Sequence, residues 1–242
     1  MKLDAATVML QWASGGMLFL WFTMRSGDIS VGYGKLLRGV YAALALIGAA
    51  LGFAFGSIPG REVAAIVLAV LAIGSFARRD NRVDLPAAIV GLLGVVLASL
   101  GTEHPDDALW LLRLLVGAVF LGAVSDAMLL GHWYLVQPGM PRKLLNQLTN
   151  VLLVLWPLEV LVFLLPTGMI SVLNGTIDDG WNGVLGWFWL ACASLTGVLA
   201  WFTRAALRER SYSAVMAATG LSYLAILTGF GTDLIARALL IA

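Results

Sequence analysis

The sequence predicts an all-α, polytopic membrane protein: a bundle of eight transmembrane helices forming one domain over residues 1–242, with both termini on the outer, non-cytoplasmic side. Three observations lead there. The chain is 60% hydrophobic and 12% charged with a mean hydropathy of +0.92, beyond the range of soluble proteins. Its apolar residues fall in runs close to the ~20 residues a helix needs to cross a bilayer core, where every backbone polar group must be satisfied inside the segment. The polar breaks between the runs alternate in charge.

The first run, 6–24, follows Lys2 and Asp4 and has no small-residue cleavage site before the next polar loop, so it reads as a retained span. The second, 36–57, carries Gly48, Gly52 and Gly56 every four residues, a stripe that lets another helix approach closely where lipid supplies no hydrophobic drive. Runs 62–78 and 85–101 are near the short limit, and RRDNRVDLP between them could alternatively cap two half-length helices. Gly91 with Gly94, and Gly117 with Gly122, extend the packing signal into the fourth run and the fifth, 108–136. The sixth, 144–172, contains Pro157, whose missing amide and ring clash predict a kink. Runs 181–206 and 212–241 complete the set. Trp110, Trp133, Tyr134, Trp181, Trp187 and Tyr212 lie near span ends, as interfacial aromatic belts do.

Orientation follows from the connections, because Lys and Arg accumulate on the cytoplasmic side. The odd ones hold Arg25, Lys35 and Arg38; Arg78, Arg79 and Arg82; Arg142 and Lys143; and Arg208 and Arg210. The even ones hold only Arg61 against Glu103, Asp106, Asp107, Asp178 and Asp179. The alternation holds through all seven connections only if the third and fourth runs both cross.

Several chemistries are excluded. One cysteine, Cys192, forbids disulfides, thiolate zinc sites and iron–sulfur ligation within the chain. The two histidines, His104 and His132, lie at opposite surfaces and cannot ligate one haem. No lysine falls inside a span, so a retinal Schiff base has no attachment point. No metal is expected, no covalent cofactor, and, with a net charge of +1 and scattered basic residues, no nucleic acid partner. Catalysis by this chain alone is not expected.

Three carboxylates fall within spans: Asp126, Glu159 and Asp233. An ionised carboxylate in hydrocarbon costs at least about 2.5 kcal/mol, so each should face the bundle interior, pair, or carry a proton. Asp126 lies about 12 Å from the inner surface and Glu159 about 20 Å, with Asp233 in the outer leaflet, a possible ladder for protons. Arg237 is one turn beyond Asp233 and can pair with it. At the inner boundary His132, Trp133 and Tyr134 face Asn146 and Asn150 across a short turn, a polar cluster suited to a carbonyl head group such as a quinone's. By architecture alone, eight helices without cofactor ligands resemble the quinol-interacting membrane anchors of bacterial oxidoreductases.

These features point first to a subunit of a respiratory or redox assembly in a bacterial inner membrane. It would bind quinone or conduct protons while partner subunits carry the redox centres, with lipids as structural cofactors. An independent carrier of protons or a small solute is the alternative, and a structural scaffold docking other helices through its glycine stripes is the third.

Overall fold

The computed structural model describes residues 3–76, 78, 81–102, 107–137 and 139–240. Lys2, Arg79, Glu103, His104 and Asp106, used above to orient the chain or exclude haem, lie outside them, as does the side chain of Asp107. Among the described residues every regular element is an α-helix: α1 Ala5–Met24, α2 Val31–Phe55, α3 Pro59–Gly74, α4 Asp84–Leu100, α5 Asp107–Val136, α6 Lys143–Leu164, α7 Gly168–Leu173, α8 Val184–Ala206 and α9 Tyr212–Leu240. Six of these, α1, α2, α5, α6, α8 and α9, are long and apolar enough to cross a membrane. The 16 residues of α3 and 17 of α4 reach about 24 and 26 Å, just short of a ~30 Å core.

Local chemistry sets the helix ends. Asp4 caps α1 by accepting from the Thr7 amide at 3.2 Å. Pro59 opens α3, where its missing amide costs nothing. Two boundaries differ from the sequence expectation. Lys35 and Arg38 lie on α2, which begins at Val31, so the first connection is shorter than its charges imply. The expected run 144–172 is broken: α6 ends at Leu164, Leu165 before Pro166 is extended, and the six-residue α7 follows. A residue preceding proline is driven out of the helical region. The freed carbonyls are capped from α5, where Arg113 donates to Val162 O at 3.0 Å and to Leu165 O at 2.5 Å.

Consecutive long helices run antiparallel, as contacts between their ends establish. Arg61 near the start of α3 bonds Asp4 at the start of α1 and Gly56 O at the end of α2. Arg38 near the start of α2 clasps Asp84 at the start of α4 with two bonds of 2.7 and 2.8 Å, and donates to Ser75 O and Arg78 O beyond α3. Arg142, preceding α6, reaches Glu209 O and Ser211 O between α8 and α9. One end of the bundle therefore gathers Arg25, Lys35, Arg38, Arg78, Arg82, Arg142, Lys143, Arg204, Arg208 and Arg210. The described basic residues nearer the other end are Arg61, Arg113 and Arg237.

The helices form two closed rings of four. In the first, α1 packs on α2, α2 on α3, α3 on α4, and α4 back on α1. In the second, α5 packs on α6, α6 on α8, α8 on α9, and α9 on α5. Small residues line the first ring, with Ala42, Ala45, Ala65, Ala69, Ala72, Ala87 and Ala88 all buried, while Phe53, Val70, Ile73, Leu93, Trp187 and Leu227 face outward. That arrangement suits lipid, where helices associate through close van der Waals contact rather than by removing apolar surface from water.

The rings meet chiefly along α1 and α5. Their backbones touch where Gly15 faces Gly122: a Cβ on Gly15 would lie 1.8 Å from Ala118 O, and one on Gly122 would lie 2.2 Å from the Gly15 carbonyl carbon. Neither contact can be relieved by a side-chain rotation. Gly15→Leu is therefore expected to separate α1 from α5 and lower the midpoint of thermal unfolding in detergent, whereas Gly74→Leu, at a glycine with open space around it, should leave the midpoint near wild type.

The connection into α8 supplies a second test. Asp179 accepts from the amides of Trp181, Gly183 and Leu185 at 2.8–2.9 Å and of Gly186 at 3.4 Å. Burial opposes its ionisation, but the four amides outweigh that and hold the carboxyl below its usual pKa. A depressed folded value means the cap stabilises fully above the unfolded pKa, about 3.9, and is lost as pH falls through the folded value. Asp179→Asn should lower the unfolding midpoint at neutral pH, with the gap to wild type closing in acid.

Candidate functional site

Where the two rings meet, buried polar side chains gather at two levels, apart from the Arg38–Asp84 and Arg61–Glu62 pairs within the first ring. The first level lies about 8–11 Å from the Asp4 end at 1.5 Å per residue. Gln11 on α1 donates through Nε2 to Leu114 O on α5 at 2.5 Å, and its Oε1 accepts from Nη1 of Arg237 on α9. Arg237 Nη2 donates to Asp233 Oδ1 at 2.5 Å, one turn back on the same helix. Glu159 on α6 adjoins both Asp233 and Arg237. All four residues are at most 1% exposed. Both oxygens of Glu159, Oδ2 of Asp233 and Nε of Arg237 have no hydrogen-bond partner.

Space for this group is made by Gly117 on α5. A Cβ there would lie 2.3 Å from Arg237 Nη2 and 2.6 Å from Asp233 Oδ1. The glycine signal at Gly117 thus marks a charge cluster rather than a helix seam. Two carboxyl groups thus face one guanidinium in a buried setting.

The second level is about 18 Å away along α5. Asp126 is fully buried and accepts a hydrogen bond from the Tyr41 hydroxyl of α2 at Oδ1, while Oδ2 has no partner. Tyr33, also on α2, is buried with its hydroxyl lacking a hydrogen-bond partner and lies within electrostatic reach of Asp126. Next to Asp126, Ser125 accepts from Trp12 Nε1 of α1 at 2.8 Å. Each of these contacts joins one ring to the other.

The three carboxylates expected to form a ladder are therefore arranged as a pair and a single group. The boundary cluster is divided differently from the sequence expectation. His132 is exposed, its Nδ1 3.0 Å from the Tyr223 hydroxyl on α9 with the rings edge-on at 6.2 Å. Trp133 donates to Gln137 and lies 5.7 Å from the Tyr33 ring; Tyr134 donates to Pro141 O. Asn150 and Asn146 accept from Arg204 on α8 at 2.6 and 3.4 Å. The histidine thus addresses α9 and the asparagines α8.

Gln11 was missed although it is a polar side chain inside an apolar run, the same signal that singles out the carboxylates. Tyr33 and Tyr41 gave no such signal, since a tyrosine in a span reads as apolar bulk until its hydroxyl is located. Among the described residues, no group of three or more His, Cys, Asp or Glu side chains could hold a metal ion, and Cys192 is buried.

Removing one member of a buried ion pair strands the other, at a cost of about 3–5 kcal/mol, whereas replacing both by apolar groups is close to neutral. Arg237→Ala should therefore destabilise the protein by roughly that amount in a chemical unfolding titration in detergent. The double variant Arg237→Met with Asp233→Leu should recover most of the loss. Equal losses in both would show that the pair does not govern stability.

No protein family, curated protein or solved structure matches the chain.

Proposed function

We propose that this protein moves protons across a membrane through the interface between its two four-helix rings. The observation that carries this reading is the Gln11, Glu159, Asp233 and Arg237 cluster, where buried carboxylate oxygens lack partners and two carboxyl groups face one guanidinium. Ionisable residues at membrane depth are expensive and mark ion or proton pathways by default. In carriers built from two halves, the coupling site lies between the halves.

In this reading all eight long helices cross, α3 and α4 included. The end rich in Arg and Lys is cytoplasmic, both termini are outside, and the membrane is the bacterial inner membrane. The basic end gathered by alternating helices supports that orientation. The proton pair then lies nearer the outer face and Asp126 nearer the inner one.

Reconstitution into liposomes with a trapped pH-sensitive dye tests it. A potassium diffusion potential should drive proton uptake, and Glu159→Gln should reduce the rate by on the order of 10²-fold, the scale of losing a positioned proton carrier. Wild-type vesicles no leakier than protein-free ones, or a Glu159→Gln variant as fast as wild type, would overturn the proposal.

A second reading, a quinone-contacting subunit of a redox assembly, is favoured by one observation: the His132 and Tyr223 pair is exposed on the outer surface of the bundle near its basic end. Mild-detergent purification should then bring down partner subunits and lipid quinone, with quinone lost in His132→Leu.

A further inference from the structure

We infer that Asp126 is a second proton-binding site, reached from the basic end of the bundle through Tyr33, behind a vestibule walled by Met24, Asp28, Ser30 and Gln137. The inference deepens the proton-moving reading and rests on it for its role, though not for its test.

Charge comes first. Asp126 is fully buried on α5, and the groups that bear on its charge are the hydroxyls of Tyr41 and Tyr33. The nearby partner of the neighbouring Ser125 is a neutral indole. The basic residues of the first ring are engaged elsewhere: Arg38 is clasped by Asp84, and Arg61 by Asp4 and Glu62. An isolated carboxylate in this setting needs a counter-charge. One carboxylate and two hydroxyls fall short of the six or more oxygens that a cation such as calcium collects, and no metal group forms among the described residues. A proton needs only one oxygen.

The hydrogen-bonding pattern agrees. Oδ1 accepts from Tyr41, as the carbonyl oxygen of a neutral acid does, which leaves Oδ2 as the hydroxyl. Oδ2 and the Tyr33 hydroxyl are both buried and both lack a partner. A protonated Oδ2 is a donor and the phenolic oxygen an acceptor, so the two orphans are complementary, and a water between them would satisfy both.

Access comes from the vestibule. This cleft of about 450 Å³ lies at the basic end, between the end of α1 and the start of α2. Its wall is tied to Tyr33 on two sides. Gln137 Oε1 accepts from Ser30 N and Trp133 Nε1, both at 3.2 Å, and the Trp133 ring packs against the Tyr33 ring. Met24 of the wall lies against Gly34, the residue after Tyr33, where a Cβ would come within 3.1 Å of the methionine Cε. The phenol therefore lies behind the wall of the cleft, about two helical turns along α2 from Tyr41, the hydrogen-bond partner of Asp126. In exchange the Asp126 O–H bond breaks as the proton passes to a water, and an O–H bond re-forms from the vestibule side, with no net redox change.

Infrared difference spectroscopy of the purified full chain on transfer from H₂O to D₂O tests this without any flux measurement. The wild type should show a protonated-carboxyl C=O band that shifts on deuteration and is absent from Asp126→Asn. Tyr41→Phe, which keeps the packing and removes the hydrogen bond to Oδ1, should move that band to higher frequency and so identifies it if Asp126→Asn does not fold. Tyr33→Phe should keep the band and slow its deuteration by on the order of tenfold or more. Because Glu159 and Asp233 can contribute a carboxyl band of their own, the Asp126 band is the one removed by Asp126→Asn; a spectrum in which no band responds to either Asp126→Asn or Tyr41→Phe would show Asp126 to be ionised and overturn the inference. Wild-type deuteration kinetics in Tyr33→Phe would overturn the route. If the band behaves as expected while vesicles carry no proton flux, the proton-moving function fails and this site stands. Glu159-dependent flux without an Asp126 band would give the reverse.

Discussion

Charge buried among apolar helices is unfavourable unless it is paired, and that constraint organises this molecule. Arg38, Arg61, Arg113 and Arg237 are each less than a tenth exposed, and each gathers acceptors from other segments. Arg38 ties α2 to α4 and to the end of α3; Arg61 ties α3 to the start of α1 and the end of α2; Arg113 holds the end of α6 against α5; Arg237 joins α9 to α1. The planar guanidinium suits this work, because its five donors are held in fixed directions and stay charged at any accessible pH. In a bundle without hydrophobic drive between helices, such bonds and the close contacts of small residues are what choose one arrangement over its alternatives.

The same constraint separates structural charge from chemical charge. The Arg38 and Asp84 pair is bidentate, with both carboxylate oxygens used. Glu159, Asp233 and Asp126 instead keep oxygens without partners at the junction between the rings. An acceptor left open in a low-dielectric interior is unfavourable unless it holds a proton or a bound molecule. Glu62 also keeps one open oxygen, so it is the placement of Glu159, Asp233 and Asp126 at the ring junction, together with their open oxygens, that sets them apart from pairs such as Arg38 and Asp84.

The two-ring architecture gives that capacity a place. Each ring is closed by neighbouring helices in chain order, with the short α7 as an interruption in the second, and both rings begin at the same end of the molecule. Among the side chains crossing between them are Gln11, Trp12, Tyr33 and Tyr41 from the first ring, meeting Arg237, Ser125, Trp133 and Asp126 from the second. Between the two levels the Gly15 and Gly122 backbones touch, which fixes how closely α1 and α5 approach.

Helical class, long apolar runs, alternating charge in the connections and three carboxylates inside apolar runs were all legible in the residues alone. These are one-dimensional consequences of bilayer thickness and of the cost of charge in lipid, and need no knowledge of neighbours. The pairing of Asp233 with Arg237 was legible too, because an i,i+4 spacing on one helix fixes proximity. Packing settled that Glu159 joins that pair while Asp126 stands apart with two tyrosines, that the asparagines serve Arg204 rather than His132, and that α6 breaks at Leu165. Those outcomes depend on which face of each helix meets which partner, and on contacts such as Gln11 with Arg237 between residues more than two hundred positions apart. Depth along a helix can be read from residue number, whereas azimuth against another helix is set by packing.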